Sequence, residues 1–219
     1  MKTLELINFG SKLLREKKIP SYILDSELLL SKTLKKSREK ILTNLHAIID
    51  KKKINIFKKY LKRRAKNEPL AYILEEKEFW SKKFIVSRDT LIPRPETELL
   101  VEKLLKMYKD KKISILDIGT GSGCIIVSLL INLEHSVGVG VDISKEAISM
   151  SQKNAKKHHL YNRIKFLNNS FENIFNKKFD LIVSNPPYID KKSIRNLSEA
   201  HDSFLHVYLH LKIHLVYAK

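Results

Sequence analysis

The chain has 219 residues, 43% of them hydrophobic, which allows one large domain or a domain with a smaller companion and excludes wholesale disorder. Its single cysteine, Cys124, rules out a disulfide framework and a cysteine-based zinc cluster, and fits a reducing compartment. The net charge of +18 raises a nucleic-acid partner, but only eight of the 42 basic residues are arginine, the residue that supplies a bidentate fork for phosphates and bases. A lysine-rich composition alone accounts for that charge, so direct nucleic-acid binding is left open and is not required.

The N-terminus, MKTLELINFGSKLLREKK, has charges throughout and lacks an apolar core of signal-peptide length. No apolar run approaches the roughly 20 residues of a membrane span, so the expectation is a cytoplasmic protein with no membrane partner, taken as a monomer. Residues 1–75 carry helical spacing of apolar positions. Leu4, Ile7, Leu13 and Leu14 mark one helix. A second begins near Ser21 and carries Ile23, Leu24, Leu28, Leu29, Leu30 and Leu34. Shorter pieces follow over 36–45 and 51–66, the latter with Ile54, Phe57, Tyr60 and Leu61 on one face. Residues 76–95 contain KEFWSKKFIVS, which alternates like a hairpin linker, and then LIPRPETE, stiffened by Pro93 and Pro95.

Helical spacing resumes over 96–108. Beyond Lys111 strand, turn and helix alternate, with strands at 113–117, 137–142, 164–168 and 180–184 and helices at 124–132 and 144–158. Such alternation predicts an α/β domain built on a parallel sheet, over 96–202, preceded by a small helical bundle and the hairpin linker. The first of these strands runs into Gly119-Thr120-Gly121-Ser122-Gly123, a turn that lets backbone approach a ligand closely unless it is only a tight turn. The second ends at Asp142, 19 residues after Gly123, where a carboxylate can accept both ribose hydroxyls of a nucleoside or cap the helix that follows. The fourth ends in Asn185-Pro186-Pro187-Tyr188, which cannot continue a strand or helix. A planar amino group is a poor nucleophile because its lone pair is delocalised, and it needs acceptors that orient its protons. The Asn185 oxygen and the Pro186 carbonyl form such a pair, Tyr188 offers a face for the planar group, and the prolines fix all three.

GxGxG after a strand carrying Asp resembles the loop of S-adenosyl-L-methionine-dependent methyltransferases, and NPPY resembles the motif of enzymes that methylate amino groups of adenine or of protein glutamine. EFW, FIVSRDTLIPRPETELLVE, ILDIGTGSGCI and VSNPPYID, in this order, resemble the release-factor glutamine methyltransferases of the HemK/PrmC type. The resemblance implies a helical substrate-recognition domain, a hairpin linker and a Rossmann-like methyltransferase domain. It implies S-adenosyl-L-methionine as cofactor, contacted by Gly119 to Gly123, Asp142, Phe171 and Asn185, with no metal. It also implies peptide chain release factors as partners, their Gly-Gly-Gln glutamine held by Asn185, Pro186, Pro187 and Tyr188. An adenine-N6 methyltransferase and a non-catalytic remnant that binds a translation factor stand as alternatives.

Two departures from the resemblance matter. Where the family carries an acid followed by tryptophan, this chain has Ser170-Phe171, which keeps a ring for a purine face but removes a hydrogen-bond acceptor. After Asp202 the sequence reads SFLHVYLHLKIHLVYAK, unlike the family, so residues 203–219 are expected to be an aberrant or frame-shifted tail and the sheet incomplete. His206, His210 and His214 recur at helical spacing there, without the carboxylate or cysteine that a zinc site would add.

Overall fold

The computed structural model of the chain describes residues 1–170, 178–185 and 215–218, the last four as backbone. They fall into two compact units, Met1–Glu76 and Lys77–Lys219.

The first unit consists of helices α1 (Thr3–Glu16), α2 (Tyr22–Leu34), α3 (Arg38–Leu42), α4 (Lys51–Arg64) and α5 (Leu70–Leu74). Helix α4 starts where Asp50 caps it, its carboxylate accepting from Lys53 N at 2.9 Å. Leu6, Ile7, Leu14, Leu29, Leu30, Phe57, Leu61 and Ile73 form the core. The expected face of α4 is found, with Phe57 and Leu61 fully buried. Helix α2 differs from expectation, because Ile23 and Leu24 are 51% and 43% exposed while Asp25 and Ser26 are buried. The reason is pairing. Ser26 Oγ donates to Ile7 O at 2.9 Å, and the Asp25 carboxylate accepts from Arg64 Nε at 2.7 Å. Satisfied polar groups can occupy a core stripe, and periodicity of apolar residues alone does not reveal them.

Close approach of α1 to α2 depends on Gly10, where a Cβ would lie 2.3 Å from Ser26 Oγ and 3.0 Å from Phe57 Cζ. The second unit begins inside a hairpin of β1 (Glu76–Phe79) and β2 (Lys82–Ile85), turned by Trp80 and Ser81, both at positive φ. Phe79 and Phe84 meet edge to face, centroids 6.0 Å apart, within the core of this unit. Helix α6 (Glu96–Met107) follows. Then come β3 (Ser114–Ile118), α7 (Cys124–Asn132), β4 (Val137–Asp142), α8 (Lys145–Lys157), β5 (Ile164–Asn168), β6 (Leu181–Ser184) and β7 (Leu215–Ala218). The sheet order is β5-β4-β3-β6-β7, with the first four strands parallel. This is the expected α/β arrangement, with β3 central and all four carboxyl ends on one edge.

Residues from Cys124 to Leu130 of α7 are buried without exception, so this helix is apolar all round and lies inside the unit. Leu100, Val101 and Leu104 of α6 and Ala155 of α8 join the same core, against Ile115, Leu181 and Val183 of the sheet. The opposite sheet face presents Leu116 and Val141, with Ile118, Val139 and Ile182 packed about them. Strand β7 was not expected. It pairs antiparallel with β6, Leu181 opposite Ala218 and Ser184 opposite Leu215. The open edge of β6 offers unpaired backbone groups, and the tail supplies a β-prone Leu-Val-Tyr segment. Among the described residues, no helix is long and apolar enough to cross a membrane.

Gly10→Ala tests the packing of the first unit. Its clash with Ser26 should outweigh the better helix propensity of alanine, with a net loss of about 1–2 kcal/mol in urea unfolding. Adding Ser26→Ala should recover part of the loss if the clash is the cause.

Candidate active site

Strand β3 delivers the chain to the glycine turn, where Gly119, Gly121 and Gly123 have φ of 68°, 54° and 76°. Three left-handed residues in five leave little room for side chains, which explains why every second position is glycine. Both Gly119 N and Thr120 N donate to Val141 O, at 2.8 and 3.0 Å, so the turn is fastened to the end of β4. Among the described residues nothing lies within 4 Å of a Cβ built on Gly119, which leaves this face of the turn to a ligand. At Gly123 a Cβ would meet Ser151 Cβ at 3.1 Å, so this glycine serves the packing of the turn on α8.

The Asp142 carboxylate accepts from Gly121 N at 2.9 Å through Oδ2 and from Ser144 N at 3.0 Å through Oδ1. Each oxygen keeps a further lone-pair direction, so the group can still accept hydroxyls from a ligand while it is held in place. The helix-start alternative also holds, in a shared form: Ser144 is the cap of α8, its hydroxyl accepting from Ala147 N at 3.1 Å. Below the turn, Asp117 is 1% exposed, with Oδ2 accepting from Thr120 Oγ1 at 2.7 Å and the carboxyl facing the backbone N–H of Ile126 in the first turn of α7. Burial pushes this carboxyl up to about 7, against the lowering effect of the Thr120 hydrogen bond. Cys124 sits at the start of α7, where a thiol is often activated, but burial pushes it up to about 12 and makes it a packing residue.

Asn185 follows β6 directly. The register sets Ser184 beside Ile118, and Ser184 Oγ donates to Ile118 O at 2.9 Å, so Asn185 emerges next to the glycine turn. Its Nδ2 donates to Thr97 Oγ1 at 3.0 Å, a bond that uses the nitrogen and not the acceptor oxygen Oδ1. Three predicted site elements, Gly119 to Gly123, Asp142 and Asn185, therefore share one sheet edge. Phe171, Pro186, Pro187 and Tyr188 lie outside the described residues, as do His206, His210 and His214.

Two supporting residues were not found from sequence. Thr97, in the first turn of α6, is the partner of Asn185. Asn154 of α8, fully buried, donates to Ser122 O at 2.8 Å and Ile85 O at 2.9 Å and accepts from Ile85 N at 2.7 Å. It ties the glycine turn to the end of the hairpin. An Asn or Thr within a helical run carries no signal of such distant partners, although the polar Asn154 on the apolar side of α8 was the available hint.

A parallel sheet whose central strand turns through glycines, beside a strand ending in an anchored carboxylate, defines a Rossmann-like α/β unit suited to a nucleoside ligand. The model of the methyltransferase small domain family matches residues 78–207, and that of the PrmC N-terminal domain matches residues 5–74. The chain belongs to the methyltransferase small domain family, with a PrmC-type domain ahead of it. It is 44% identical over 172 residues to a release factor glutamine methyltransferase of Buchnera aphidicola subsp. Acyrthosiphon pisum, a match covering 78% of this chain and 61% of the relative. A release factor glutamine methyltransferase of Coxiella burnetii is 39% identical, over 84% of this chain and 66% of the relative. A bifunctional methyltransferase of Rickettsia bellii is 38% identical, over 84% of this chain and 38% of the relative. The matched chain thus spans about three-fifths of the length of the Buchnera relative.

Asn154→Ala should destabilise the protein by about 2–4 kcal/mol in denaturant unfolding, since one buried and two partly buried backbone groups lose their partner at once. Asp117 gives a pH signature. Its carboxyl titrates near 7 when folded and near 4 when unfolded, so the native state holds the proton more tightly. Stability from this group is full below about pH 4, falls as pH rises towards 7 and is flat beyond. Asp117→Asn should flatten that part of the melting-temperature profile relative to the parent, and parallel profiles would show that Asp117 titrates normally.

Proposed function

We propose that the chain carries the machinery for S-adenosyl-L-methionine-dependent methylation of the glutamine side-chain nitrogen in the Gly-Gly-Gln motif of a peptide chain release factor. The observation that carries this reading is the carboxamide of Asn185, which leaves β6 beside the glycine turn with its nitrogen bonded to Thr97. The names of the Buchnera and Coxiella relatives support the same substrate.

The cofactor supplies a methyl group activated on a sulfonium. Gly119 to Gly123 would give its amino-acid end unhindered backbone, and Asp142 would accept its ribose hydroxyls through lone pairs that Gly121 N and Ser144 N leave available. Asn185 Oδ1 and the Pro186 carbonyl would accept hydrogen bonds from the two N–H groups of the substrate amide, orienting its nitrogen lone pair for attack. In this proposal Pro187 would stiffen the turn, and the rings of Tyr188 and Phe171 would cover the substrate amide and the cofactor purine respectively. No strong base is required, because the product sheds its proton once the nitrogen has become positive. The helical unit serves substrate recognition.

The test is methyl transfer from labelled cofactor to a release-factor fragment containing Gly-Gly-Gln, with duplex DNA as the competing acceptor. Label on the glutamine supports the proposal, and label on DNA alone replaces it with an adenine enzyme. Asn185→Ala should lower single-turnover transfer about a hundredfold while cofactor affinity, read by calorimetry, stays within a few fold. Transfer at the parent rate would reduce the motif to a turn. Gly121→Val should abolish cofactor binding, since a β-branched side chain at φ of 54° disrupts the turn itself.

A further inference from the structure

We propose that Thr97 is the positioning residue that fixes which way the Asn185 carboxamide faces, an inference that rests on the acceptor role proposed for Asn185. A carboxamide is nearly symmetric in shape and opposite in chemistry at its two ends. Turned through 180° about its last bond, Asn185 would present N–H groups to the N–H groups of a substrate amide, and the same side chain would repel what it is meant to hold. An acceptor role for Asn185 therefore needs a second residue that engages the nitrogen on the far side from the substrate.

Thr97 meets that need. It is 2% exposed and lies in the first turn of α6, with its backbone N donating to Arg94 O at 3.0 Å. The helix behind it is anchored in the core through Leu100, Val101 and Leu104. Pro93 and Pro95 restrict the chain in front of it. A β-branched side chain on so fixed a backbone has few rotamers available, so its hydroxyl is a stationary acceptor. Asn185 Nδ2 reaches it at 3.0 Å across 88 residues of sequence. A hydroxyl can donate as well as accept, so Thr97 tolerates either orientation alone. The choice is made jointly: only with the nitrogen on Thr97 do both ends of the carboxamide find partners of opposite kind once a substrate amide is present. The segment LIPRPETE thereby has a chemical task besides starting a helix.

The experiment has two parts. In the free 219-residue protein, the side-chain NH2 signals of Asn185, assigned by their loss in Asn185→Asp, should shift in Thr97→Val and stay near the parent position in Thr97→Ser. Signals unmoved by Thr97→Val overturn the proposal whether or not the chain transfers methyl groups. The second part reads single-turnover transfer to the release-factor fragment. Thr97→Val should lower the rate about tenfold, with cofactor affinity within about twofold, and Thr97→Ser should restore most of it. In the Asn185→Asp background both carboxyl oxygens accept, orientation no longer matters, and adding Thr97→Val should cost less than about threefold. An equal loss in both backgrounds, or a parallel loss of cofactor affinity, would make Thr97 a structural or cofactor-binding residue and overturn the proposal. Absence of transfer by the parent would sink the methyltransferase reading and the orientation role that rests on it, and the NMR shifts would then report only whether Thr97 and Asn185 are bonded in the free protein.

Discussion

One carbonyl oxygen, that of Val141, accepts the N–H groups of both Gly119 and Thr120. Much of the candidate site depends on this bifurcated contact. It bends the chain away from β3 while keeping it bonded to the neighbouring strand, which is why the turn needs left-handed backbone at once. It also brings Gly121 N to the Asp142 carboxylate one residue beyond Val141, so loop and acid hold each other. The loop is thus positioned by strand pairing, a long-lived interaction in a parallel sheet whose central strands are bonded on both sides. Residues at such an edge gain precision from the sheet without needing a scaffold of their own.

Two carboxylates at this edge have opposite surroundings. Asp142 meets backbone donors and stays partly accessible, whereas Asp117 lies buried under the turn with one oxygen bonded to Thr120. Burial of Asp117 makes its charge costly near neutrality, so this group strengthens the turn most as a neutral hydrogen-bond partner. The division follows from strand position: the register sets Asp117 opposite Gly140, beneath the loop, and Asp142 lies two positions further, at the last residue of β4, where the layer ends.

Much of this was legible in the sequence because it is punctuated. Helix α7 and strands β4 and β5 were expected with the bounds they have, since Gly123, Asp142 and Ser144 mark where one element gives way to the next. The buried face of α2 differs from its periodicity, because Asp25 and Ser26 enter the core through partners on other helices and not through their own character. Helix α5 has five residues, too few for a period to be read, and β7 forms where an open strand edge recruits a segment of ordinary sequence. Thr97 and Asn154 were invisible for a related reason. Their partners lie 88, 69 and 32 residues away, and separation of that kind is created by the fold.

Strand order has a consequence for how the site comes into being during synthesis. The central strand β3 pairs on one side with β4, which follows it closely, and on the other with β6, whose first contact joins Ser114 to Asp180, 66 residues apart. At roughly 5–20 residues per second of ribosomal elongation, several seconds separate the emergence of these two halves. The glycine turn and Asp142 can be assembled on β3, β4 and β5 while the other flank of β3 is still bare. Asn185 reaches the edge only when β6 docks. A nascent chain thus holds an unpaired parallel edge through that interval, at the very strand that orders the whole unit, and its exposure to wrong partners ends with the arrival of Asn185.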